Sequence, residues 1–275
     1  MKIAIDLGGT NIRVGVIDEG KVVRKISKPC PSKGSEEEVL TFLINMIEEE
    51  AQQQFEGIGI GVPSVVDTEH GIVYNVSNIP SWKEVYLKDI LQQKFNVPVF
   101  VNNDSNCFAL GEKLFGECIS YSNIIGITLG TGVGAGVIID GKLYNGVNTG
   151  AGEIGSLAYL DSDYEHYCSS DFFVRYYNTT GQEVYKKACA ADSDALAIWN
   201  EIGTHLGNLM KVVLYTYDPE AIVLGGGIAT AYPFFSESML TSMSDFPYKK
   251  IVDNVKILIS KKEDISLLGA SALVV

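Results

Sequence analysis

The sequence predicts an α/β fold made of two related domains, and three observations carry that expectation. Short β-branched runs punctuated by glycine turns alternate with stretches of helical hydrophobic period. The opening strand–turn–strand unit recurs in weakened form near the middle of the chain: Ile3-Ala4-Ile5-Asp6-Leu7-Gly8-Gly9-Thr10 stands beside Ile125-Gly126-Ile127-Thr128-Leu129-Gly130-Thr131-Gly132. Each copy then runs to a second turn, Gly15-Val16-Ile17-Asp18-Glu19-Gly20-Lys21 against Gly136-Val137-Ile138-Ile139-Asp140-Gly141-Lys142. No Pro- or Ser-rich linker separates the copies, so the domain boundary is buried in the architecture.

The elements follow in order. Residues 2–6 read as a strand, 12–17 as a second, and an Asp-Glu-Gly turn leads into a third over 21–26. Residues 36–55 change to helical period, with Val39, Leu40, Leu43, Ile44 and Ile47 on one face. Ile58 to Val62 is an apolar strand ended by Pro63. A shorter helix then turns Leu87, Ile90, Leu91 and Phe95 inward. Residues 97–102 form a strand, and a helix runs from Asp104 to the region of Phe115. The second glycine hairpin fills 124–144. A long helix over 195–217, a strand over 221–224 ending in Gly225-Gly226-Gly227, and an apolar segment over 267–275 complete the chain. The domains are assigned as 1–103 with a returning C-terminal helix over 265–275, and 104–264.

Composition narrows the function. The chain has 275 residues, 46% of them hydrophobic and 20% charged, with a formal net charge of −13. Such length fits one large domain or two moderate ones, and such composition excludes a disordered or fibrous chain. The acidic balance argues against nucleic acid and anionic membranes, which demand a basic surface. It leaves ATP open, because backbone N–H groups and a metal ion hold phosphates. Met1 runs into Lys-Ile-Ala-Ile-Asp without an export h-region, and no apolar run reaches membrane-spanning length. Five scattered cysteines without C-x-x-C fit a reducing cytoplasm and offer neither a disulfide framework nor a cysteine zinc site.

Three glycine turns follow strands: Asp6-Leu7-Gly8-Gly9-Thr10, Leu129-Gly130-Thr131-Gly132-Val133-Gly134 and Gly225-Gly226-Gly227. Glycine lets backbone N–H groups come close to an anion and form a nest for it. A dinucleotide fingerprint must open a helix, whereas Gly130 and Gly132 lead into the strand Val137-Ile138-Ile139; no P-loop motif is present either. Asp6, where a strand meets its turn, either holds Mg²⁺ through water or bonds the N–H groups of that turn. Asp104 either caps the helix that follows it or serves as a general base toward an alcohol. Glu153, flanked by glycines, either accepts two sugar hydroxyls or is a solvated loop acid. His70 and His166 stand in polar loops, and His205 stands in the long helix with no second ligand at i,i+4 spacing.

An ordered set of motifs over nearly the whole length then resembles the ROK sugar kinases, the glucokinase-like branch of the actin/hexokinase-type ATPases. The set is Asp6-Leu7-Gly8-Gly9-Thr10 with Arg13; Asn78-Ile79-Pro80-Ser81-Trp82; Asn102-Asn103-Asp104-Ser105-Asn106 followed by Gly111-Glu112; Leu129 to Gly136; Gly150 to Gly155; and Val223 to Gly227. The resemblance implies a two-domain actin-like ATPase (ribonuclease H-like) fold with a central cleft that closes on sugar and excludes water. It implies that Gly8, Gly9, Gly130 and Gly132 hold ATP phosphates, with Asp6 near Mg²⁺ and Thr10 and Thr131 near the transferring group. Gly225, Gly226 and Gly227 would approach the adenosine. Asn78, Asn103 and Glu153 would bind sugar hydroxyls, and Asp104 would be the catalytic base, acting on position 6 of a hexose or hexose derivative. A small-molecule sugar is the implied partner, and a homodimer is left open.

Two departures from the family pattern matter. The family commonly follows Gly-Glu-Ile-Gly with a histidine that contacts sugar and helps hold a structural zinc; here that residue is Ser156. The cysteine-rich zinc segment is reduced to Asp163-Tyr164-Glu165-His166-Tyr167-Cys168-Ser169, in which Asp163 replaces a cysteine ligand and Glu165 takes the place of a second sugar-binding glutamate. No zinc is expected. ROK repressors carry an N-terminal helix-turn-helix, for which the strand beginning at Lys2 leaves no room. A sugar-responsive binding protein without turnover and an actin- or chaperone-like ATPase are the other readings. Asp6, Asp104 and both phosphate turns stand against the first, and Asn78 with Glu153 against the second.

Overall fold

The computed structural model describes residues 1–8, 10–51 and 53–275; the expectation placed on Gly9 lies outside them. In chain order the elements are β1 (Lys2–Leu7), β2 (Asn11–Asp18), β3 (Lys21–Pro29), α1 (Glu36–Glu50), β4 (Ile58–Val62), β5 (Val65–Asp67), β6 (Ile72–Tyr74), β7 (Glu84–Val85), α2 (Leu87–Phe95), β8 (Val99–Asn103) and α3 (Asp104–Phe115). After them come β9 (Ile124–Leu129), β10 (Val133–Ile139), β11 (Lys142–Leu143), β12 (Ala158–Tyr159), β13 (Ser162–Asp163), α4 (Tyr164–Cys168), α5 (Ser170–Tyr177), α6 (Gly181–Cys189) and α7 (Ser193–Tyr217). The chain ends with β14 (Ala221–Gly225), α8 (Tyr232–Met243), α9 (Lys249–Asn254), β15 (Lys256–Ile259) and α10 (Ile265–Ala272).

The chain divides into two compact units. Met1–Ile119, Leu143–Ala151 and Lys262–Val275 form the first, and Ser120–Lys142 with Gly152–Lys261 form the second. The first unit is built on a sheet of order β3-β2-β1-β4-β8. Its β1 and β2 pair antiparallel from Lys2↔Ile17 to Leu7↔Ile12, while β1, β4 and β8 run parallel. Parallel strands are covered on both faces and so read as unbroken apolar runs; Ile3, Ile5, Ile58, Ile60 and Val101 are buried accordingly. Helix α1 lays Val39, Leu43, Met46 and Ile47 into this core. Ser35 and Glu38 form a capping box at its start, satisfying two orphan N–H groups. Its buried stripe ends with Glu50, and the helix expected to reach 55 stops there.

Helix α3, at which the sequence reading begins its second domain, packs on α10 within the first unit. Two glycines make that packing close, and a third, Gly59 of β4, seats α10 on the sheet. A Cβ at Gly111 would overlap the Ile265 carbonyl, one at Gly269 the Cys107 carbonyl, and one at Gly59 the Ala270 carbonyl. These contacts are backbone on backbone, so the neighbours cannot yield by changing rotamer.

The second unit repeats the plan. Its sheet has the order β11-β10-β9-β14-β15, with β9 and β10 antiparallel and β9, β14 and β15 parallel. In each unit a hairpin is followed by two parallel strands, so the internal repeat of the sequence is a repeat of topology. The core of this unit gathers Ile125, Ile127 and Leu224 from the sheet, Trp199, Leu206 and Met210 from α7, and Phe235 and Met239 from α8. Among the described residues no helix is long and apolar enough to cross a membrane.

Gly111→Ala tests the seat of α3. Alanine is the better helix former by about 1 kcal/mol, yet the overlap with Ile265 should reverse the sign. We expect a net loss of about 1–3 kcal/mol in denaturant unfolding; a variant as stable as wild type would show that α3 and α10 part without cost.

Candidate active site

The carboxyl ends of the parallel strands in the first unit gather the acidic residues. Asp6 lies beside Arg13 in the β1–β2 register and beside Gly61 in the β1–β4 register, and Gly61 in turn pairs with Asn102. A Cβ on Gly61 would stand 3.3 Å from the Asp104 Cα and 3.2 Å from the Cys107 Sγ, so the absence of a side chain there lets the first turn of α3 settle against β4. Asp104 is thereby brought within electrostatic range of Asp6.

Asp6 is 8% exposed and ion-paired with the Arg13 guanidinium. Burial raises its pKa against the opposing pull of Arg13. The Asp104 carboxyl is pushed up to about 7, first by burial and then by repulsion from Asp6, with the Ser105 hydrogen bonds opposing. Its Oδ1 accepts from the Ser105 N–H at 2.8 Å. The helix cap that the sequence offers as the alternative role for Asp104 belongs to its neighbour. Asn103 Oδ1 accepts from the N–H groups of Ser105 at 2.9 Å and Asn106 at 3.3 Å, and Asp104 is the first residue of α3. Asn103 also donates from Nδ2 to the Ser64 carbonyl at 3.2 Å, which leaves one amide hydrogen of that group free for a ligand.

The other expected residues of this unit stand as follows. Gly8 donates its N–H to the Asn11 carbonyl at 2.9 Å, closing the first glycine turn, and Thr10 is exposed in it. Asn78 is exposed in the turn between β6 and β7, where Ile79 N bonds the Val76 carbonyl at 3.0 Å. Sequence reasoning gives Arg13 no role of its own; the hairpin register, readable from the turn position, is the signal that sets it opposite Asp6.

The second unit brings together the other half of the expected set. Gly130 N donates to the Gly132 carbonyl at 3.0 Å, and Thr131 is exposed at the tip of that turn. Glu165 accepts from the Val133 N–H at 3.1 Å, so one of its carboxylate oxygens supports the glycine turn. Glu153 is exposed just before a 3-10 turn over Ile154–Ser156. Its pKa is raised by the protein around it and, second, by Glu165. Gly225 ends β14, and Gly226 has φ +85° and backs onto the Leu129 carbonyl, an arrangement that admits only glycine. At Gly130 and Gly227 a Cβ would meet nothing within 4 Å and φ is ordinary, so the fold itself asks for glycine at neither. Open space over two strand-end glycines fits a phosphate or nucleoside that must approach the backbone.

Asp163 caps α4, accepting from the His166 N–H at 2.9 Å. Asp163, which the resemblance sets in the place of a cysteine ligand, thus has a structural task of its own. Among the described residues no group of three His, Cys, Asp or Glu side chains is placed to hold a metal ion.

The ROK family model matches residues 2–275. The chain is similar to a glucokinase of Thermotoga maritima, 28% identical over 99% of this chain and 96% of that protein. It is also similar to a xylose repressor of Bacillus subtilis, 31% identical over 80% of this chain but only 61% of that protein. Among solved structures, a ROK family glucokinase from Streptomyces griseus in complex with glucose and AMPPNP superposes with a TM-score of 0.88 at 26% identity, covering 99% of this chain and 98% of that one.

The raised Asp104 pKa has a consequence for stability. Its folded value of about 7 lies above its ordinary 3.8, so the folded state holds the proton more tightly than the unfolded state. The contribution of Asp104 is then full below about pH 4 and is lost as pH rises through about 7. Asp104→Asn removes that titration. We expect the variant to gain stability relative to wild type as pH rises from 4 to 8, read as the difference between the two Tm–pH curves; parallel curves would show Asp104 to be freely solvated.

Proposed function

The chain belongs to the ROK family and has its actin-like ATPase fold, and on that premise we propose that it is an ATP-dependent sugar kinase with Asp104 as general base. The observation that carries the reading is the pair of carboxylates at the strand ends of the first unit. Asp6 is compensated by Arg13, whereas among the described residues no lysine or arginine pairs with Asp104. A carboxyl poised near 7 is matched to proton transfer at neutral pH. In phosphoryl transfer the alcohol gives up its proton late, so a modest base that also orients the hydroxyl suffices.

The groups present fit magnesium and ATP. Two mutually repelling carboxylates favour a divalent cation, with Asp6 holding it through water, a habit of Mg²⁺. Thr10 of the first turn and Thr131 and Gly132 of the second offer hydroxyl and N–H donors to phosphates, while Gly8 and Gly130 shape those turns with N–H groups already bonded to carbonyls. Beside Gly225 and Gly226, Gly227 leaves room for the adenosine. When bound, magnesium-ATP supplies the phosphoryl group and neutralises its charge. On the sugar side, Asn78 and the free amide hydrogen of Asn103 donate, while Glu153 and the second oxygen of Glu165 accept hydroxyl hydrogens. The glucokinase similarities support a hexose or hexose derivative; position 6 as the hydroxyl rests on the family resemblance alone. The net charge of −13 suits a small-molecule partner over nucleic acid, and five free cysteines suit a reducing cytoplasm.

A second reading, a sugar-responsive protein without turnover, draws on the xylose repressor similarity. Against it, a mere binder has no use for a half-buried carboxyl held near neutrality beside another acid.

ADP release by a coupled assay over glucose, N-acetylglucosamine, N-acetylmannosamine and xylose separates the two. Sugar-dependent turnover is expected; sugar-induced thermal shift without ADP would select the sensor. Asp104→Asn should lower kcat by about 10²–10⁴-fold while sugar affinity stays within several-fold. Wild-type kcat/KM should decline below pH 7 as Asp104 takes up its proton. A near wild-type kcat in Asp104→Asn would remove the base.

Gly130→Ala and Gly227→Ala probe the nucleotide contacts separately. Both should leave Tm within about 2 °C of wild type and raise the KM for ATP while the KM for sugar holds. An unchanged KM for ATP in both would free those glycines of any ligand role.

A further inference from the structure

Leu143–Ala151 belongs to the first unit, although the chain on either side of it belongs to the second. What holds this excursion is a cluster of three amides. Asn145 Oδ1 accepts from Asn102 Nδ2 and from Asn106 Nδ2, each at 3.2 Å. Asn106 Nδ2 also reaches Asn102 Oδ1 at 2.9 Å, and that oxygen accepts from the Asn103 N–H at 2.8 Å. Asn102 and Asn106 are 4% and 2% exposed. The main-chain carbonyl of Asn145 accepts from Ala151 N at 3.2 Å, closing the excursion into a loop two residues before Glu153.

We propose that Asn145 is a positioning residue. Through Asn102 and Asn106 it fixes the segment from which the chain runs into Glu153, and so sets sugar affinity without touching the reacting atoms. The inference rests on the sugar-kinase reading. One amide cluster touches the backbone of the proposed sugar ligand Asn103, lies one turn into the helix that begins with the base, and holds the segment leading to a second sugar ligand. Its two donors are buried, so removal of the shared acceptor takes this partner from Asn102 Nδ2 and leaves Asn106 Nδ2 with Asn102 Oδ1 alone, and the low dielectric makes that loss felt. A polar network of this kind specifies one arrangement of the segment where apolar contacts alone would allow several. Tyr144 and Val147, 48% and 95% exposed, contribute little to that arrangement.

The test compares wild type, Asn145→Leu and Asn145→Asp, with glucose and N-acetylglucosamine as probes. Leucine keeps the size and deletes the acceptor; aspartate restores it. For Asn145→Leu we expect the sugar KM to rise about ten-fold, with kcat and the KM for ATP within about three-fold of wild type. Asn145→Asp should recover most of the sugar KM. A merely structural role would lower Tm and kcat together and leave the KM alone. Amide exchange followed by mass spectrometry reads the anchor directly: in Asn145→Leu, peptides over 143–153 should exchange faster while those over α1 do not. A sugar KM within about two-fold of wild type, or unchanged exchange over 143–153, overturns the proposal. A wild type that releases no ADP with either sugar overturns the kinase reading and its affinity consequence, and the exchange result then stands or falls alone.

Discussion

The organising constraint in this molecule is the placement of two carboxylates in one poorly solvated site. Asp6 is fixed by the β1–β2 register, which sets Arg13 opposite it. Asp104 arrives from elsewhere in the chain, on a helix seated against β4 because Gly61 has no side chain to keep it away. Burial of one such acid beside another is unfavourable, and the protein concentrates the cost on Asp104 by giving Arg13 to Asp6. Stability is thereby surrendered at a point where proton affinity is gained, the pattern expected where a site is tuned for chemistry rather than for folding.

The topology explains why such a site lies where it does. β1, β4 and β8 run parallel and end together, so Asp6, Val62 and Asn103 emerge at one edge of one sheet. In parallel α/β sheets ligands gather outside the carboxyl ends of the strands. The second unit sets its glycine turns at the same ends of its strands, after β9 and β14. Repetition of one strand order in both units lets a single device, a hairpin with a glycine turn, be used twice.

Much of this was legible in the sequence because the signals are local. The β1–β2 and β9–β10 hairpins, the strands over Ile58–Val62 and Ala221–Gly225, and α7 follow from periodicity and turn residues. The residues from Tyr164 to Tyr177 were not, because α4 and α5 are short and feed an aromatic cluster around Phe172 and Phe173. Helix α6, by contrast, carries a readable signal that the sequence reading misses, the Thr180–Glu183 capping box with Val184 and Ala188 one turn apart. The seat of α3 on α10 was equally hidden: it depends on Gly111 meeting Ile265 across the length of the chain, and a glycine within a helix is by itself a neutral sign. At the candidate site the residue types were readable and their division of labour was not. Asn103 and Asp104 both suit a cap, and only the backbone geometry assigns it to Asn103. Glu165 stood as a sugar ligand alone, whereas one of its oxygens is taken by Val133 N.

The glycines carry the last step of the argument, because they divide by physical cause. Gly59, Gly111 and Gly269 are required by neighbouring backbone, and Gly226 by its φ of +85°; substitution at any of them would disturb the protein whether or not it binds anything. Gly130 and Gly227 meet neither condition. Gly150 shares that openness, so openness alone assigns no ligand; at Gly130 and Gly227 it is compatible with the proposed nucleotide. Gly130 and Gly227 stand just past the ends of strands in the second unit, where the proposed phosphate and nucleoside would approach. The sequence shows three glycine turns as equals; the structure separates the glycines that build the turns from those left open in front of them, and the open ones have no use for glycine within the fold itself.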